Sequence, residues 1–397
     1  MAAILQLPEK LQPEIAQFLG GATLIESVTG LPYWLALVIF AFVVILYTAF
    51  GGFTAVVITD TFQGIIMLVG IVAVIGAVLK GQGGLMEAMK GLAEVSDPAV
   101  SDVPGVFNSF LGPDPINLLG VVLLTSLGTW GLPQMVQKFY AIKSEKAINK
   151  GMVISTVFAL VVAGGCYFLG GFGRLFSDRI DLANGGFDSI IPTMLSDLSP
   201  FLIAVVVILV LSASMSTLSS LVMASSSTLT LDFIKGTVVK DLSEKKQLLI
   251  MRVLIAVFIA ISAVIAIVQH KSNVTFIAQL MGISWGALAG AFLAPFLYGL
   301  YWKKATVGSV WCSFIFSTVV MLLNMVAKPL FPALLQSPIN AGVACMLAGL
   351  VIVPAVSFVT KAPAAEHVDH VFSCYDKKVV VSVTDAIGEP ISKEEKE

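Results

Sequence analysis

Apolar runs of about 20 residues recur along almost the whole chain, separated by short stretches rich in glycine, proline and charge. A helix of that length spans the roughly 30 Å hydrocarbon core of a bilayer, because each residue adds about 1.5 Å. The runs fall at 32–51, 54–80, 117–135, 151–176, 198–230, 249–269, 274–301, 306–327 and 338–360. Residues 15–30 read as the end of a further helix with an irregular start. The run at 198–230 exceeds one crossing, so it tilts or continues beyond the membrane. Composition agrees: 57% of residues are hydrophobic and 12% charged, about half the charge of an ordinary soluble chain. The expectation is an all-α polytopic membrane protein with about 9–10 transmembrane helices over residues 1–360, followed by a polar tail, 361–397.

Lysine and arginine set the expected orientation, since cytoplasmic loops carry the excess. One set of loops holds Lys138, Lys143, Lys146 and Lys150, then Lys235, Lys240, Lys245, Lys246 and Arg252, then Lys303 and Lys304. The opposite loops carry acids, among them Glu87, Glu94, Asp97, Asp102, Asp178 and Asp181. The basic side is read as cytoplasmic, which puts the C-terminal tail inside. That tail has a short β-prone run, VVVSV at 379–383, and reads as a disordered end rather than a regulatory appendage. The N-terminal stretch MAAILQLPEKLQPEIAQ has neither the basic start nor the cleavage site of a signal peptide. Cys166, Cys312 and Cys345 lie in apolar runs, and with Cys374 they form no zinc or disulfide spacing.

Three polar constellations interrupt the apolar pattern. In GGFTAVVITDTFQG, Asp60 sits about two turns beyond the Gly51-Gly52 pair, with Thr59 and Gln63 on one helix face. An intramembrane carboxylate costs about 2.5–3.5 kcal/mol on insertion scales, so it faces protein or water. It is either a helix-end acid bonded to a neighbouring loop or part of an ion path. In LSASMSTLSSLVMASSSTLTLD, residues 211–232, hydroxyls recur at helical spacing. They serve close packing by back-bonding within the helix, or they offer neutral oxygens to an alkali cation. In LLTSLGTWGLPQMVQKFYA, residues 123–141, Gly128, Gly131 and Pro133 weaken any helix. Broken membrane helices near the midplane usually hold substrate and ions in secondary transporters. Trp130 in the break either walls such a cavity or anchors a kinked helix at the interface.

No enzyme signature is present: there is no nucleophile elbow, metalloprotease helix or phosphate loop, and no basic stripe for nucleic acid. His367 and His370 in HVDH belong to the tail, and His270 to a short outer loop.

Four stretches together resemble the sodium:solute symporter family: YTAFGGFTAVVITDTFQG, SMSTLSSLVMASSSTLTLDFIK, GISWGALAGAFLAPFLYGLYWKKAT and the break-region WGLPQMVQKFYA. The likeness runs from about residue 15 to 360, although Lys138 stands where an arginine is common. It implies a leucine-transporter-like inverted-repeat fold, with residues 117–301 as the second five-helix repeat and the first repeat incomplete. It also implies that Ser216 and Thr217, with the Ala213 carbonyl, ligate sodium. Asp60, with Thr59 and Gln63, would border the inner sodium route. Gly128, Thr129, Trp130 and Gly131 would lie at the solute gate. Family members carry about three further helices ahead of the position where this chain starts. The resemblance therefore implies one face of each site here, in a chain that is an incomplete gene product, a fragment, or one half of a split protein with a separately encoded N-terminal portion as partner.

The expected function is sodium-coupled symport of a small organic solute (an amino acid, monocarboxylate, vitamin or sugar) across a cell inner (plasma) membrane, with sodium as the coupling ion. The alternatives are a non-transporting sensor or regulatory subunit, and a proton-coupled carrier on the same fold.

Overall fold

The computed structural model describes residues 7–133, 135, 142, 145–180, 189–239, 241–272 and 277–376. Among them helices dominate and no strand forms; one isolated bridge joins Asp97 and Ser101. Long apolar segments leave the backbone little choice, because in lipid a helix is the one single-segment solution that satisfies every N–H and C=O. In chain order the principal helices are α1 (Leu7–Thr29), α2 (Tyr33–Gly52), α3 (Thr54–Gly81), α4 (Leu85–Glu94) and α5 (Pro115–Ser126). Then come α6 (Glu145–Gly171), α7 (Ile190–Leu195), α8 (Pro200–Ser227), α9 (Glu244–Ser272) and α10 (Ile277–Tyr301). α11 (Val307–Val326), α12 (Pro338–Val359) and the short α13 (Ala365–Phe372) complete the order.

Eight of the described helices are long and apolar enough to cross a membrane. The expected run at 117–135 is not among them. Its apolar helix stops at Gly131, because Leu127 leads into a 3₁₀ turn, Gly128–Gly131. Leu132, held extended ahead of Pro133, then ends it (φ −86°, ψ 115°). The long run near 198–230 resolves differently: α8 passes without interruption into an 11-residue π-helix, Thr228–Val238.

α2 and α3 are divided by a single residue. Unbroken, their 49 residues would make a rod about 74 Å long, more than twice a bilayer's apolar thickness. Gly52 breaks it with φ 65° and ψ −167°, a backbone region essentially closed to residues with a Cβ.

Packing falls into distinct bodies. One core joins α1 and α2 to the later half of α8 and to α9, through Phe18, Leu37, Val44, Leu218, Val222 and Ile259. A second joins α3, α4, the end of α6, α7 and the first part of α8, with Leu24 near the end of α1, through Val74, Leu92, Phe172, Met194 and Val206. α8 therefore belongs to both. Residues up to Val210 pack with the second core, and those from Leu211 onward pack with the first. α10, α11 and α12 form a third bundle held by small residues. Gly286 and Gly342 face each other so closely that a Cβ on Gly286 would lie 2.7 Å from the Gly342 Cα. The Ser317 hydroxyl donates to the Ala287 carbonyl at 3.2 Å. Backbone approach and short hydroxyl bonds of this kind are how helices adhere where lipid removes any hydrophobic preference.

Asp60 within α3 and the fully buried Glu14 within α1, which accepts the Ser262 hydroxyl at 2.8 Å, lie away from the helix ends, where the ion pairs gather. Arg174 pairs with Asp97 at 2.6 Å and lies over the Phe107 ring, and Arg179 pairs with Asp197 at 2.7 Å. The beginning of the tail is ordered, unlike the sequence expectation: α13 docks through Lys303–Asp369 at 3.2 Å, and the Tyr375 hydroxyl donates to the Leu300 carbonyl at 2.8 Å. Residues 379–383 lie outside the described residues.

Candidate functional site

The hydroxyl-rich stretch occupies the later half of α8 and continues into the π-helix at Thr228 and Thr230. Pro200 at the first helical position starts the helix, and no charged side chain interrupts it up to Ser227. Six of these hydroxyls, Ser216, Thr217, Ser219, Ser225, Ser226 and Ser227, donate to carbonyls three or four residues back in the same helix. Ser216 Oγ and Thr217 Oγ1 both donate to the Ala213 carbonyl at 3.0 Å, so three oxygens cluster within one turn. One turn on, Ser219 Oγ donates to the Ser216 carbonyl at 3.1 Å. Back-bonded hydroxyls cost little in a membrane helix, and turning them outward exposes lone pairs without breaking the helix itself. A hard cation needs about five or six oxygens, by analogy with calcium and magnesium, so this turn supplies a part of one shell.

Ser216 and Thr217 face a cavity of about 680 Å³ together with Ser220. The opposite wall is α3, which contributes Asp60, Thr61 and Gly64. Thr129 enters from the break after α5, Gln17 from α1 and Trp285 from α10. Four of the residues singled out in the sequence, from three separate segments, thus line one space: Asp60, Thr129, Ser216 and Thr217. The third oxygen donor, Ala213, lies directly behind the α8 wall through its two hydroxyl bonds.

The other expected residues lie elsewhere. Thr59 turns away from the cavity and donates to the Ala55 and Val56 carbonyls at 3.0 and 2.9 Å. Gln63 is buried one turn along, with its Oε1 lacking a hydrogen-bond partner among the described residues. These two share a face, but it adjoins the cavity-facing stripe rather than forming it. Gly128 and Gly131 are buried against α10. A Cβ on Gly131 would lie 2.9 Å from both the Ala289 Cα and the Leu293 nitrogen, so only glycine fits this approach. Trp130, expected at the gate, is 61% exposed and does not line the cavity. A 3₁₀ turn places successive residues about 120° apart, so Thr129 facing inward carries Trp130 away. Most of 134–141, with Lys138, lies outside the described residues.

Gln17, Thr61, Ser220 and Trp285 escaped the sequence reading. Gln17 falls in a segment read as irregular, where no periodicity marked a face. Trp285 stood in view inside GISWG, but a lone tryptophan in an apolar helix carries no signal of what it faces. Among the described residues no three His, Cys, Asp or Glu side chains come together as a metal cluster.

A family model described as the sodium:solute symporter family matches residues 11–316. The sodium/pantothenate symporter of Escherichia coli (strain K12) is 29% identical over 289 residues, 73% of this chain and 58% of that protein. A sodium/proline symporter of Staphylococcus aureus is 32% identical over 296 residues, 73% of this chain and 55% of the relative. The chain thus spans less than three-fifths of the length of these curated relatives. Among solved structures, a Na⁺-coupled sialic acid symporter in a substrate-bound outward-open state aligns with TM-score 0.68 at 18% identity, over 90% of this chain and 74% of that one. At that identity the likeness establishes a shared fold.

Proposed function

The chain belongs to the sodium:solute symporter family, and on that premise we propose that it carries out, or forms the larger part of, sodium-coupled symport of a small organic solute across a plasma membrane with its C-terminal tail in the cytoplasm. The observation that carries this is the single cavity joining Asp60, Thr129, Ser216 and Thr217, with the Ala213 carbonyl holding both hydroxyls. Four long helices, α6, α8, α9 and α10, fall within the stretch expected as the second repeat, 117–301, and the shorter α5 begins just ahead of it at Pro115, which supports that division.

Sodium, as transported cargo, takes the Ala213, Ser216 and Thr217 oxygens. Its remaining ligands come from water, solute or a further chain segment, whether preceding this one or separately encoded. The same spacing repeats one turn on as Ser216, Ser219 and Ser220, with Asp60 across the cavity, and gives the ion a second set of oxygens on its inward route. Asp60 supplies the one carboxyl group along this lining. Coupling follows if ion and solute favour the same conformation, since differential affinity alone shifts such an equilibrium. Gln17, Thr129 and Trp285 are the solute-facing side chains. The named relatives handle pantothenate and proline, and the structural neighbour sialic acid. Each is a small carboxylate, and a carboxylate is the first solute class to try.

The test is uptake of labelled proline, pantothenate and sialic acid into proteoliposomes under imposed sodium or proton gradients. Sodium-driven uptake that requires about tenfold more sodium in Ser216→Ala/Thr217→Ala, a change of about 1.4 kcal/mol, is the expected result. Uptake driven equally by protons alone overturns sodium coupling. An unaltered sodium requirement in the double variant overturns the ligand assignment.

A further inference from the structure

Tyr47 is four residues before the Gly51-Gly52 break and belongs to none of the groups expected at the site. Its hydroxyl donates to the Met215 carbonyl at 2.9 Å, a bond between residues 168 apart in sequence. Met215 lies inside the turn that carries Ala213, Ser216 and Thr217. The Ser219 and Thr48 hydroxyls neighbour the phenol, and Thr48 is fully buried with its Oγ1 lacking a partner among the described residues. Tyr47 also packs against the same core as Leu218 and Val222. The phenol therefore reaches the back of the oxygen-bearing turn, while the front of that turn faces the cavity.

The consequence is geometric. Ser216 and Thr217 aim at one carbonyl and can turn toward an ion only if that turn of α8 keeps its rotation. The packing of α8 changes partners between Val210 and Leu211, immediately ahead of the turn, so its rotation is not set by one core alone. A phenol bond to Met215 fixes it from behind. The same chain segment continues through Gly52 into α3 and Asp60, so Tyr47 ties the two cavity walls that carry Asp60 and the hydroxyl triplet.

We propose that Tyr47 is a positioning residue for sodium: its bond to the Met215 carbonyl holds the Ala213–Thr217 turn in the register that binds the ion. This rests on the assignment of that turn as a sodium site, and the experiment separates the two.

The measurement is equilibrium binding of radiolabelled sodium to the purified full chain in lipid nanodiscs, with potassium as the competitor control, for wild type, Tyr47→Phe and Ser216→Ala/Thr217→Ala. Phenylalanine keeps the ring and removes only the donor. The expected result is a roughly three- to tenfold weaker sodium affinity in Tyr47→Phe at unchanged stoichiometry; because the bond exists without the ion, the sodium-free melting temperature falls as well, by a few degrees at about 1 kcal/mol. Weakened binding in the double variant with wild-type affinity in Tyr47→Phe overturns the positioning role and leaves the site assignment standing. A Tyr47→Phe protein whose sodium stoichiometry falls while the remaining sites keep wild-type affinity has lost folded protein rather than register, which assigns the tyrosine to general stability and also overturns it. Absence of sodium binding in wild type, or an unaffected double variant, overturns both.

Discussion

The His270 imidazole lies flat on the Tyr33 ring, with centroids 3.8 Å apart and planes 2° from parallel. The same histidine reaches within 3.6 Å of the Glu26 carboxylate, whose other oxygen accepts the Tyr33 backbone N–H at 3.2 Å. The end of α1, the start of α2 and the end of α9 are thereby joined at one point. Replacing His270 with alanine removes a stacked pair worth about 0.5–1.5 kcal/mol and lowers the melting temperature measured in detergent. Tyr33→Phe is the contrasting case. The phenol oxygen is buried without a partner among the described residues, so its removal leaves stability unchanged or raised.

Gly131 admits no side chain. Alanine there meets the backbone of α10 at Ala289 and Leu293, which cannot retreat as a flexible side chain would. The expected cost is about 1–3 kcal/mol, read as a lower melting temperature and less folded protein in size-exclusion profiles. Gly128→Ala, whose nearest neighbour stands at 3.6 Å, is the tolerated control.

Gly52→Ala forces a Cβ into φ 65°, ψ −167° with nothing within 4 Å to obstruct it. The penalty is thus conformational and amounts to about 1–3 kcal/mol. Because α3 carries Asp60 from this point, the variant is also expected to reduce sodium affinity. A melting curve and a sodium titration on the same sample check both effects.

Asp60 and Trp130 are expected to differ sharply. Asp60→Asn removes the carboxylate from the cavity wall and weakens sodium binding by about tenfold, near 1.4 kcal/mol. Trp130→Phe alters an exposed ring outside the cavity and is expected to leave sodium binding within about twofold of wild type, under 0.5 kcal/mol. A titration in which Trp130→Phe matches the Asp60→Asn loss would overturn the exclusion of the tryptophan from the cavity.

Much of this was legible before any coordinates. Apolar run length identified the eight crossings, since a bilayer imposes one thickness on every span, but it also counted 117–135, where the helix stops short. The hydroxyl spacing on α8 drew attention to the right helix, but of the oxygens that line the cavity it picked out Ser216, the family resemblance supplied Thr217, and Ser220 escaped both. What escaped depended on local departures from that periodicity. The 3₁₀ turn at Gly128–Gly131 directs Thr129 inward and Trp130 outward. No residue count distinguishes that from an α-helical turn. The π-helix at Thr228–Val238 was equally invisible, because Thr, Leu, Asp and Ile read alike in either helix. Gln17 and Trp285 reach the cavity through tertiary packing between segments far apart in the chain, and no local pattern reports such meetings.

The change of packing partners between Val210 and Leu211 has a consequence for cooperative unfolding. Two cores that share α8 are two units of exchange protection, and amides before and after that boundary follow different opening free energies. Ion occupancy at Ala213, Ser216 and Thr217 falls just inside one unit, so sodium protects the amides of α1, α2 and α9 first. The segment around Val206 gains protection only insofar as the helix transmits it. A bound ion therefore divides the amide exchange map of α8 into a half that responds to salt and a half that lags behind.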